Sequence, residues 1–72
     1  MDNRLKILDQ LQNIEYDIIS YKSERSGLLE SNKNTKGYFP ELTLQNNYNI
    51  KALSKKIVTA EAEFNQLLNT LK

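Results

Sequence analysis

An all-α fold is expected for this chain, specifically an antiparallel two-helix hairpin of coiled-coil type, and three observations predict it. Two long segments carry apolar residues at alternating spacings of three and four, and one short segment between them gathers the breakers. That spacing is the seam of a coiled coil, because residues three and four apart share one face of a helix.

The first helix is expected over about residues 2–33, with Ile7, Leu11, Ile14, Ile18, Tyr21, Arg25 and Leu28 on its seam. Asp2 or Asn3 is suited to cap it, since a short side-chain oxygen can accept from the free backbone N–H groups of the first turn. The turn is expected over about 34–46, around the stretch NTKGYFPELT, which holds the second glycine, the single proline and two adjacent aromatics. Gly37 is suited to end the helix in the left-handed region, and Pro40 cannot donate a backbone hydrogen bond. The second helix is expected over about 47–72, with Ile50, Leu53, Ile57, Ala60, Phe64, Leu67 and Leu71 on its seam. A start at Pro40 is the alternative; the run NNYN favours the later start, because asparagine is a poor helix former.

Register follows from residue numbers, since facing layers of an antiparallel pair share a constant sum. Ile7 opposite Leu71, Ile14 opposite Phe64 and Leu28 opposite Ile50 all sum to 78, which centres the fold-back on Phe39. A slip by one heptad would leave a turn of apolar residues hanging at one end. The same sum sets Asn32 opposite Asn46, a facing polar pair of the kind that specifies register, provided the second helix reaches back that far. Tyr38, Phe39, Leu42 and Leu44 are expected to fold down as a plug over Leu28, Leu29 and Ile50, with Tyr38 and Phe39 at the tip as the alternative contact for a partner.

Composition restricts the function classes. The 72 residues are read as one domain, and a hairpin of this size buries a modest core. There is no cysteine and no histidine, which removes the disulfide staple, the thiolate nucleophile, the commonest general base and the usual nitrogen and sulfur metal ligands. Ser20, Ser23, Ser26 and Ser54 therefore lack an imidazole to activate them, and Glu61 and Glu63 point to different sides of a helix. No glycine-rich phosphate loop occurs. Neither an enzyme nor a cofactor protein is expected. Ten basic against nine acidic residues give a formal charge of +1, too little for a strong nucleic-acid or anionic-membrane field. With no apolar run of membrane-spanning length and no secretory-type start, a cytoplasmic protein without a membrane partner is expected. The asparagine, lysine and isoleucine content is that of an AT-rich coding sequence, such as a low-GC bacterium or its phage.

Two surfaces carry the functional expectation. Leu5, Leu8, Tyr16 and Ile19, with Gln12 among them, form a stripe on helix 1 beside the seam that closing the hairpin does not use. Protein binding is expected there, first of all by a second copy, giving a homodimeric four-helix bundle. Arg25 is the second feature: it occupies a seam position, yet the facing run IKALSKK holds lysines and no acid. An unpaired buried guanidinium would cost several kcal/mol. It is expected to snorkel past Leu28, to stack on Tyr21, or to meet a carboxylate of a partner chain. The alternative function is a nucleic-acid-binding helical dimer using Lys51, Lys55 and Lys56.

The run IKALSKKIVTAEAEFN resembles the second helix of the small sporulation-linked aspartyl-phosphate phosphatases, helical hairpins with a serine motif followed by an essential aspartate. Ser54 matches the serine, but Val58 stands where that family has its aspartate, so the resemblance carries no catalytic residue over.

Overall fold

A computed structural model describes residues 3–35 and 37–71. Two helices run antiparallel, α1 over Asn3–Thr35 and α2 over Pro40–Thr70, and form a rod 57 × 14 × 14 Å. Every expected seam residue from Ile7 to Leu28 on α1 and from Ile50 to Leu71 on α2 is buried or half-buried. The most buried apolar residues of the seam are Leu11, Leu53, Ile57 and Ala60. Ala60 is the smallest side chain of the seam, and half-buried Ile14 and Phe64 make up the layer beside it.

Contacts across the seam match the expected register. Asn46 donates to Asn32 Oδ1 at 2.9 Å, Arg25 reaches Ser54 Oγ at 3.4 Å, and Lys56 Nζ lies 5.7 Å from the centre of the Tyr21 ring. Each joins residues whose numbers sum to within one of 78, whereas a heptad slip would change the sum by seven.

The second helix starts earlier than expected. It begins at Pro40, and α1 runs to Thr35, so most of the turn expected over 34–46 is helical. Pro40 is suited to the first helical position, where its missing N–H has no partner to lose, and Glu41 complements the positive end of the helix dipole. Thr43 N–H closes the first turn on Phe39 O at 3.0 Å. The low propensity of the asparagines, at most about 0.7 kcal/mol each, is offset because Asn46 and Asn47 both bond to α1. Gly37 has φ +85°, the left-handed conformation expected of it, and Tyr38 N–H bonds back to Thr35 O at 2.9 Å. The expected cap Asp2 lies outside the described residues.

The expected plug does not form. Tyr38 is 81% exposed, and Phe39, Leu42, Leu44 and Leu29 are all exposed as well. With so few residues between the helices there is no slack to bend the aromatics down over Leu28 and Ile50. Leu44 lies on an outward flank of α2, where helix geometry turns it away from the seam.

Candidate protein-docking face

Heptad positions place the exposed side chains around the rod. With Leu11 at a and Ile14 at d on α1, and Ile50 at a and Leu53 at d on α2, antiparallel pairing sets e beside e on one side and g beside g on the other. Lys22 and Glu61, both at e, meet at 3.9 Å across the first side. A groove lined by Glu15, Ile18, Glu61, Phe64 and Asn65 runs along that side. The opposite groove is lined by residues that include Asp17, Tyr21, Lys56, Thr59 and Glu63.

These two sides differ in chemistry. The e and b positions of α1 carry Leu5, Leu8, Ile19 and Leu29, and those of α2 carry Leu44, Val58 and Leu68; all but half-buried Leu68 are exposed. On the g and c side, Leu42 near the turn is the sole exposed side chain among the described residues that is aliphatic and larger than alanine. Ile19, 56% exposed, and Val58, 67% exposed, stand at the same level of the rod. The stripe expected on helix 1 is therefore one half of a two-helix face.

Of the expected stripe, Leu5, Leu8 and Ile19 lie on this face, and Gln12 lies between them. Tyr16 is exposed on the outer back of α1 at an f position, where its hydroxyl accepts from Gln12 Nε2 at 3.4 Å, so it borders the face and does not floor it. Leu29, Leu44 and Val58 were not expected there. Their signal was the shared b and e position on both helices, which becomes one surface once the antiparallel pairing is applied.

Arg25 is half-buried and donates from Nη1 to Ser54 Oγ, a long contact that gives the guanidinium a neutral partner on the same side as the apolar face. The cation over Tyr21 is Lys56 and not Arg25. Lys56 turns toward the g side and α1, while exposed Lys51 and Lys55 border a shallow depression with Tyr48 and Ala52 on the outer surface of α2. Lys55 also lines the g-side groove with Lys56, so it stands between the other two lysines around the outside of α2. Tyr38 and Phe39 project from the tip, well removed along the rod from Leu5 and Leu8.

Polar side chains concentrate in the tip half of the seam. Asn46, 5% exposed, gives its amide protons to Asn32 Oδ1 and to Ser31 Oγ at 3.3 Å, and Asn32 passes one on to Asn47 Oδ1 at 2.9 Å. Among the described residues no buried side-chain polar atom is left without a partner. No helix of the described residues is long and apolar enough to cross a membrane.

Comparison of the chain with known protein families, with curated proteins and with solved structures finds no match.

Proposed function

We propose that this chain is a small non-enzymatic protein-binding module, an adaptor, small chaperone or inhibitor, that works through the apolar stripe of α1. The observation that carries this reading is the asymmetry of the rod: aliphatic side chains lie exposed along one side and are nearly absent from the other. Scatter of surface leucines, ordinary on soluble proteins, would distribute them over both sides. Covering Leu5, Leu8 and Ile19 removes apolar surface from water at about 25 cal/mol per Å², before the costs of association. The simplest assembly that covers them is a homodimeric four-helix bundle, in which the two-helix core gains a second layer.

The test is a pair of double variants compared by sedimentation and circular dichroism. Leu8→Glu with Ile19→Glu is expected to abolish association and to remove the concentration dependence of Tm, with helical content retained at low temperature. Asn13→Glu with Ser20→Glu, on the opposite side, is expected to leave association intact. Equal effects of the two pairs would overturn the assignment of the face.

A further inference from the structure

Resting on that reading, we infer that the face is self-complementary and takes a second copy of the chain in one orientation, with the two hairpin tips at opposite ends and Ile19 on the twofold axis. The inference comes from the order of residues along the e positions of α1: Leu8, Glu15, Lys22, Leu29. Reversed against itself, this series sets Leu8 opposite Leu29 and Glu15 opposite Lys22, both pairs centred between Ile18 and Ile19. At the b positions, Gln12 then falls opposite Ser26 and Ile19 opposite its own copy.

The second helix has the same polarity. Glu61 lies toward the termini from Val58, and Lys51 lies toward the tip, so on both helices the acid is on the terminal side of the centre and the base on the tip side. Stacking two copies face to face with tips apart sets α1 on α1 and brings the acidic half of each over the basic half of the other. Tips together would set α1 on α2 instead, with Glu15 at the level of the Glu61 of the other copy and Lys22 midway between its Glu61 and its Lys51. Like charges brought together at an interface oppose that alternative. The Lys22–Glu61 contact within each hairpin, 3.9 Å with both side chains half exposed, leaves both groups accessible to a second partner.

Two measurements test orientation separately from use of the face. By equilibrium sedimentation at low salt, Glu15→Lys and Lys22→Glu singly are each expected to weaken the dimer by about tenfold or more, and the double exchange to recover most of the loss. Under mild oxidation, Ile19→Cys alone is expected to give a covalent dimer, whereas an equal mixture of Ile19→Cys and Val58→Cys chains is not expected to favour the mixed dimer. A dimer abolished by Leu8→Glu with Ile19→Glu, yet indifferent to the charge exchange or cross-linking Ile19→Cys to Val58→Cys, would overturn this orientation while leaving the proposed face standing. Wild type that stays monomeric to high micromolar concentration would overturn the second copy as occupant. A dimer that survives both the glutamate pair and the charge variants would overturn the face itself.

Discussion

Asn46 and Asn32 face each other across the seam and share a hydrogen bond of 2.9 Å, with Asn46 buried to 5% exposure. A buried amide pair of this kind contributes little net stability, yet any other register would bury Asn46 without a matched partner. In the register one heptad away, it would face either Arg25 or the segment at Phe39.

Replacing both residues, Asn32→Leu with Asn46→Leu, is therefore expected to raise Tm while loosening the register. Asn46→Ala alone is expected to cost about 1 kcal/mol in denaturant unfolding, because Asn32 retains Asn47 as acceptor. Should the double leucine variant lower stability, the pair is a source of stability and not of specificity.

Register itself is open to a direct check. Cysteines at Ile18 and Ala60 are expected to form an intrachain disulfide readily, whereas Ile18 paired with Leu53 or Leu67 is expected to react poorly. In the double leucine background, a more even yield over the three pairs would show the slip that the asparagines prevent.

The two glycines are expected to respond in opposite directions. Gly27 sits exposed inside α1, and a Cβ added there meets nothing within 4 Å, so Gly27→Ala is expected to stabilise by about 0.5–1 kcal/mol through helix propensity. Gly37 also has open space around it, but its φ of +85° strains any L side chain, and Gly37→Ala is expected to cost about 1 kcal/mol. Thermal or urea unfolding of the two variants measures both, and equal signs would contradict the backbone assignment at the turn.

The hairpin, its seam and its register are legible in the amino-acid sequence because each is set by local periodicity. Residues three and four apart share a helix face whatever surrounds them, and two such faces of equal length oppose in few ways. Gly37 is legible for a similar reason, since a left-handed residue is a property of one backbone position. The candidate face was half legible. Leu5, Leu8 and Ile19 show as an excess on one helix, but Leu29, Leu44 and Val58 join them only when two flanks are laid side by side.

What the tertiary structure decided are the outcomes where a weak local preference meets a contact from the other helix. Asparagine disfavours helix by tenths of a kcal/mol, so the run before Ile50 reads as turn until Asn46 and Asn47 find Asn32 and Ser31 on α1. The same contact carries α2 back to Pro40, shortens the connection, and leaves Tyr38 and Phe39 in solvent with no slack to fold inward. Arg25 and Lys56 were open to the same competition, since both are long cations near one aromatic ring. Placement across the seam gave Tyr21 to Lys56 and Ser54 to Arg25, a choice made by distance between two helices and absent from either one alone.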